Sequence, residues 1–422
     1  MKKNHSGLFT FIYRIIGKLS CSPVIPKAGD FLFKNVNIIP MSEEKVLENY
    51  SIFISNGKIK AIGKFEELKY PATTDIIDGQ NKYIVPGFSD MHIHSTNFED
   101  GVLYLANGVT LVRNMAGYRM HLLAKKMIKD KQLLGPEIFS TTPIIDGKDP
   151  FWPRSFVIKD SKKVEAAIKK MKKVGYDAIK VYYKLSKSVY DKIMETAKKL
   201  NIPVVGHVPY DVGITDVIKA GQHSNEHFTG YNLNSETEEN INLTIKAGIW
   251  NCPTLVVYQK IFNIPALKKT KVSGLQYVHP IMKKFWSTYD SSKIEKRDGN
   301  KEFLKMLYNR GARIVAGTDV GNPYVIAGFS LHEEFQLMHE AGLTPYQVLL
   351  TGTKNAAKML GIEERLGTIE AGKDADLVLL NKNPLEDIKN TKTIAGVMTK
   401  GVWFSNEELQ HILDKIEKKF NK

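Results

Sequence analysis

Cysteine occurs only twice in 422 residues, at Cys21 and Cys252, so no disulfide framework organises this chain. That usage fits a reducing compartment. No apolar run approaches the roughly 20 residues that a membrane-spanning helix needs. Internal repeats and low-complexity tracts are missing too. Arginine is scarce: eight of the 60 basic residues are arginine, and the lysines are scattered, as in KKVEAAIKKMKKVGY. Nucleic-acid sites favour clustered arginine interleaved with aromatic residues. The formal net charge of +15 therefore reads as a solvated lysine surface, and a nucleic-acid partner is not expected.

A hydrophobic fraction of 43% with 10% aromatics suits a globular protein with a large core. The length accommodates two or three average domains, or one large barrel with an attachment. Residues 1–29 begin with a basic, partly apolar stretch, MKKNHSGLFTFIYRIIGKLSC. Leu8, Phe11, Ile12, Ile15, Ile16 and Leu19 share one helical face, which suits an interfacial helix with weak membrane association. A poor export signal competes with that reading, since Arg14 and Lys18 interrupt the stretch and no small-residue cleavage pattern follows. The expected location is the cytoplasm, with export or membrane-surface attachment left open by this segment. A homo-oligomer is expected.

Residues 30–85 read as short strands with turns, and Asn56-Gly57 between β-rich runs predicts a hairpin. From 86 to 365 short β-branched runs alternate with helical segments: GVTLVRNM, PEIFSTTPII, DAIKVYY, PVVGHV, HSNEHFTG, IWNCPTLVV and RIVAGTDV, preceded by IVPGFSDMHIH. Eight such units over about 250 residues predict a (β/α)8 TIM barrel. TPYQVLLTGTKNAAKMLG reads as two short helices, with Thr344 as N-cap and Pro345 at the first helical position. Strands return over 366–404, so both chain ends are expected to build one small β-sandwich domain beside the barrel. Residues 405–422 predict a closing helix opened by a Ser405–Glu408 capping box. The long insertion from about Tyr258 to Asn300 has the reach to cover the barrel mouth.

The stretch PGFSDMHIHS carries His92 and His94 one residue apart, and in a strand both imidazoles would project to one side. Alone, H-x-H is a weak motif. Further polar residues sit in comparable places: Lys180 inside DAIKVYY, His207 in VVGHVP, His227 in SNEHFTG and Asp319 in VAGTDVG. A single strand-end histidine is more often structural, Asp319 alone could serve a turn, and Lys180 could snorkel. All six, however, fall at the end of the barrel where active sites form, and their types are those of metal ligands. A metal site is the better reading.

Lys180 needs its own account, because an ammonium repels cations. Burial disfavours the charged form. The neutral amine can add carbon dioxide to give a carbamate, whose two oxygens can bridge two cations. Two divalent ions are then nearly balanced by the carbamate, Asp319 and a bridging hydroxide, with four neutral histidines completing the shell. Water held between two metals ionises near neutral pH and becomes a nucleophile. Zinc is the default for so histidine-rich a site, though Co²⁺, Mn²⁺ and Fe²⁺ fit the same ligands.

The order H-x-H, lysine, histidine, histidine, aspartate resembles the amidohydrolase superfamily, in particular its imidazolonepropionase-like and Xaa-Pro dipeptidase-like branch of binuclear metal hydrolases. PGFSDMHIHS is similar to that family's strand-one signature, AGTDVG to its strand-eight signature, and GTIEAGKDADLVLL to its return into the β-domain. The resemblance spans about residues 31 to 404. It implies His92 and His94 on the more buried metal, His207 and His227 on the other, Lys180 as carboxylated bridge, and Asp319 as ligand and proton shuttle. The implied activity is hydrolysis of a C–N bond in a small-molecule amide or dipeptide-like N-acyl compound. Tyr183 and Tyr231, beyond strands four and six, are candidate substrate contacts. Arg113-Asn114 and VYYKLS depart from the relatives' usual residues, at positions expected near the substrate. The rivals are lactonase or phosphotriesterase chemistry at the same metal pair, and a mononuclear deaminase. That deaminase branch lacks the strand-four lysine and carries a glutamate shortly after the strand-five histidine, where this chain reads HVPYDVG. A non-catalytic scaffold would have lost ligands, and all six are present.

Overall fold

Asn56 and Gly57 adopt positive φ (53° and 71°) and turn the chain between strands Leu47–Ser55 and Lys58–Gly63. This is the hairpin predicted from Asn-Gly, and it forms one edge of an eight-stranded sheet. The computed structural model describes residues 29–95, 97–233, 235–291 and 298–420. The reading of the N-terminal segment lies, but for residue 29, outside the described residues.

Phe31–Ile38 and Tyr83–Pro86 pair parallel at the centre of this sheet. Tyr83–Pro86 then pairs antiparallel with Leu377–Leu380 from the other end of the chain, Val85 facing Val378. Ile394–Thr399 and Val402–Ser405 extend the sheet outward, and Asp75–Asp78 pairs with Phe31–Ile38. The sheet folds back on itself: Lys58 bridges Asp374, and the Ala375 N–H donates to the Gly57 carbonyl at 2.9 Å. Phe33, Ile38, Ile52, Ile54, Leu377 and Met398 fill the space enclosed. Both chain ends thus build the β-domain.

The barrel strands are Phe88–Ile93, Val109–Asn114, Glu137–Ser140, Ile179–Val181, Val204–Gly206, Ser224–Glu226, Trp250–Cys252 and Arg313–Ile314, numbered one to eight below. All pair parallel with their neighbours. Bridges from Thr141 to Ala178 and from Ile93 to Val320 join the two hydrogen-bonded arcs into a closed ring. Strand eight is regular for only two residues. Beyond them Gly317 lies against strand one, where a Cβ would come within 2.4 Å of Cys252 Sγ and 2.8 Å of the His92 nitrogen. The glycine of AGTDVG is therefore a requirement of close approach.

Helix Val164–Val174 buries Val164, Ile168 and Met171 and leaves most of its lysines at the surface, as expected for KKVEAAIKKMKKVGY. Thr344 caps Pro345–Thr351 by accepting from the Gln347 N–H, and Ser405 and Glu408 exchange bonds at the start of Asn406–Phe420. Arg365 bonds both Glu137 oxygens (2.7 and 3.0 Å) and Asp374 (2.7 Å), tying barrel strand three to the β-domain. The insertion after strand seven contributes helices Leu255–Phe262, Ile264–Leu267 and Pro280–Ser287. No helix among the described residues is long and apolar enough to cross a membrane.

Candidate active site

Strand one sends Asp90, His92 and His94 up one face at period two. His92 is fully buried, while the His94 side chain is 26% exposed, so the row runs from the interior to the mouth. Asp90 is the deepest member and fastens strand eight to strand one: it accepts from the Thr318 N–H at 3.0 Å and from Thr318 Oγ1 at 2.6 Å. Its burial pushes its carboxyl up to about 7.

Strand six shows why this end of the barrel is irregular. Ser224 and Glu226 face inward by alternation, so His227 should face outward. A left-handed φ of 59° at His227 breaks the alternation and brings its ring to 4.6 Å from that of His92. Thr254 after strand seven (φ 50°) and Asp319 after strand eight (φ 65°) are held in the same region. Each costs on the order of 1–3 kcal/mol, and such strain gathers at functional sites. Thr254 uses its position to set His227: its hydroxyl donates to the Pro253 carbonyl and accepts from His227 Nδ1 at 2.5 Å, leaving Nε2 for the pocket.

The remaining members converge on the same space. Asp319 Oδ1 lies 3.0 Å from His94 Nε2 and 3.5 Å from His92 Nε2, and Oδ2 lies 3.8 Å from His227 Nε2. The His207 ring is 4.9 Å from that of His227. Lys180 is fully buried, which excludes snorkelling, and its Nζ has no hydrogen-bond partner among the described residues. His92 Nε2 and His207 Nδ1 are likewise buried and without one. Gly206 (φ 133°) makes room for the lysine stem, since a Cβ there would meet Lys180 Cδ at 3.1 Å and the Val181 carbonyl at 2.3 Å.

Burial sets the charge states. It lowers His92 to about 4, aided by the Lys180 charge, and holds His207 and His227 well below the usual histidine value. Neutral imidazole is the form that ligates metals. Burial alone would raise Asp319, but the surrounding histidines outweigh it and keep the group below the usual carboxylate range. Lys180 is brought down to about 8 by burial, only partly opposed by Glu226 and Asp319.

Among the described residues, ligand atoms come within 4.8 Å of one another in two groups: His92, His94 and Asp319, and His92, Glu226 and Cys252. Only the first is available. Burial raises the Cys252 thiol well above its usual value, so it stays protonated. Glu226 is committed, with both oxygens 2.9 Å from Arg113 Nη2 and Oε2 accepting from His92 Nδ1 at 2.8 Å. Burial would raise Glu226, but Arg113 and then His92 hold it well below the usual range. Glu226 and Asp90 are absent from the sequence-based site. The signal for each was a carboxylate on an inward position of an otherwise buried strand.

Two sequence expectations need correction. Tyr231 is a strut: its hydroxyl shares a 2.7 Å bond with Thr244 on helix Glu238–Ala247 and its ring packs on Phe303 at 5.2 Å, so it offers nothing to the histidines. Arg113 is not at the substrate surface either. It is fully buried, with Nε on the Met91 carbonyl at 2.6 Å and Nη1 on Ser224 at 2.9 Å. Its neighbour Asn114 supports the turn after strand one by accepting from the Ser95 N–H. Tyr183, by contrast, lies against His207 with ring centroids 4.7 Å apart. The insertion reaches the mouth, where Tyr258 packs edge-on to His227 at 6.2 Å.

A closed (β/α)8 barrel whose strand ends bring His92, His94, His207 and His227, a buried lysine and an ionised aspartate together belongs to the class of metal-dependent barrel hydrolases. Residues 83–404 match the Amidohydrolase family, and the chain belongs to that family. It is 26% identical over 395 residues to a 5-methylthioadenosine/S-adenosylhomocysteine deaminase of Caldanaerobacter subterraneus, covering 84% of this chain and 85% of that one. An ochratoxinase of Aspergillus niger is 25% identical over 329 residues, 68% of this chain and 62% of that one. Among solved structures, a bottromycin amidohydrolase superposes with a TM-score of 0.80 at 23% identity, over 98% of this chain and 96% of that one. A Xaa-Pro dipeptidase with bound methionine superposes with a TM-score of 0.73 at 22% identity, over 89% and 100%. The chain is an enzyme of the hydrolytic, C–N-bond-cleaving kind that these relatives represent.

Proposed function

We propose that the chain hydrolyses the amide bond of a small molecule or dipeptide-like N-acyl compound, using two divalent cations, zinc by default, held by His92, His94, His207, His227, Asp319 and a carbamate on Lys180. The observation that carries this reading is Lys180, fully buried among the histidines with no hydrogen-bond partner for its Nζ among the described residues. An unpaired ammonium there would cost several kcal/mol. With a carbamate and two cations in place that cost would be removed, and the orphaned His92 and His207 nitrogens would have something to bind. When bound, the cations bring water towards ionisation at neutral pH and polarise the substrate carbonyl.

The chain's own residues supply the rest. Asp319, ionised and reaching the mouth, accepts a proton from the attacking water and returns it to the leaving nitrogen. Glu226 acts through His92: by accepting a hydrogen bond from Nδ1–H it fixes the tautomer that turns Nε2 to the pocket. Tyr182 and Tyr183 on His207, and Tyr258 on His227, narrow the access of bulk water.

The identity to a deaminase favours a second reading, cleavage of an aromatic C–NH2 bond. Against it stand Lys180 and the residues after His207, which include no glutamate. Glu226 and Asp90 are bound to Arg113 and Thr318 and do not replace it. The test is metal-reconstituted protein against N-acyl amino acids, dipeptides, cyclic amides, lactones, phosphotriesters and aminopurine nucleosides. Amide turnover is expected. Turnover of lactones, phosphotriesters or aminopurines with no amide cleaved overturns the proposal.

A further inference from the structure

Three large hydrophobic side chains that are exposed among the described residues, Phe151, Trp152 and Tyr210, gather around Tyr182 and Tyr183. Phe151 and Trp152 lie on the loop between the paired strands Ile145–Asp146 and Phe156–Val157, and Tyr210 follows His207. Tyr210 is 66% exposed and Phe151 55%. An apolar cluster of this kind at a barrel mouth marks a binding surface.

The loop is built to hold its shape. Asp146, fully buried, accepts from the N–H groups of Gly147 (3.0 Å), Phe151 (3.0 Å) and Lys184 (2.6 Å). Gly147 presses on the Lys184 carbonyl, where a Cβ would come within 1.7 Å. Trp152 Nε1 donates to the Tyr182 hydroxyl at 2.9 Å, which fixes the indole.

The rings also lead somewhere. Tyr210 stacks on Tyr183 at 4.8 Å and 9°, Tyr183 lies 4.7 Å from His207, and Phe151 packs 6.1 Å from Tyr183. A continuous aromatic path thus runs from solvent to the histidine cluster. We infer that Phe151, Trp152 and Tyr210 form a recognition shelf for a planar aromatic group on the substrate, its amide carbonyl reaching inward to the histidines. This inference rests on the amidase reading and narrows its substrate class to amides bearing an aromatic side chain or aromatic acyl group. A rigid shelf of preset rings favours a flat group over an aliphatic one, because stacking geometry adds to simple burial.

The test separates the two readings by measuring binding in metal-free protein, where no turnover occurs. N-acetylphenylalanine amide and N-acetylalanine amide are titrated against wild type and Phe151→Ala/Trp152→Ala, followed by calorimetry. Both substituted side chains are substantially exposed, so folding is expected to survive, and circular dichroism checks it. The expected result is an aromatic-over-alanine preference of about tenfold or more in wild type, largely lost in the variant. Equal affinities in wild type, or a preference the variant retains, overturns the shelf. So does a concentration-dependent dimer that the variant abolishes, since the cluster would then be covered by a second copy. Selective binding without any amide cleavage after reconstitution would sink the amidase reading and leave the shelf standing.

Discussion

Glu226→Gln separates two roles that the structure gives one carboxylate. Glu226 neutralises Arg113, and both are fully buried in the barrel interior. It also accepts a hydrogen bond from His92 Nδ1–H. Glutamine keeps the size and one acceptor oxygen but leaves the guanidinium without a counter-ion. Breaking a buried pair from one side costs about 3–5 kcal/mol. The weaker acceptor on His92 is expected to lower metal affinity by about 10–100-fold. Urea unfolding of the metal-stripped protein reads the first effect, and chelator competition reads the second. Arg113→Met/Glu226→Leu then tells them apart. With no charge stranded, much of the stability returns, while metal affinity stays low because His92 has lost its acceptor. A Glu226→Gln protein within about 1 kcal/mol of wild type, the range of a surface pair, and with unchanged metal affinity would refute both roles.

Asp319→Asn is expected to keep the unfolding midpoint and lower turnover by about 10²–10⁴-fold; near-normal turnover removes Asp319 from proton transfer. Tyr231→Phe loses one buried hydrogen bond to Thr244, so about 1 kcal/mol of stability is expected to go while kcat stays at the wild-type value. A collapse of kcat would return Tyr231 to the site. Because burial brings Lys180 down to about 8, its neutral, carbamate-forming amine is a minor form at pH 7 and the major form at pH 9. At fixed dissolved CO2, activation of metal-stripped protein should therefore quicken about tenfold between those pH values, and a flat profile contradicts the carbamate.

The barrel and its histidines were legible because a polar side chain in an apolar strand is costly unless something holds it. Six such residues on strands one, four, five, six and eight can meet at one end only if the strands close into a ring. The β-domain was legible for a simpler reason: strand-like segments at both chain ends had no partners of their own. What escaped reading depends on backbone and on pairing across the barrel. His227 follows Glu226 directly, and alternation would send one of them outward. Only the left-handed φ at His227 turns both inward, and no local rule puts that conformation on a histidine. Arg113 looked like a substrate residue because its counter-ion lies 113 positions away. Tyr231 looked like one because it follows a ligand strand closely, yet the chain has already turned back to pack on Phe303.

The central claim is that Lys180, as a carbamate, holds two cations between the histidines and Asp319. Metal per chain, counted in wild type and in Lys180→Ala with and without propionate, tests it most directly. Wild type should hold close to two. Lys180→Ala should fall below two and lose activity, because the cations would repel with little screening, and propionate should restore part of both where a neutral molecule of the same size does not. Lys180→Arg, which stays protonated, should fail as well. A Lys180→Ala protein that keeps two metals and most of its activity would contradict the account.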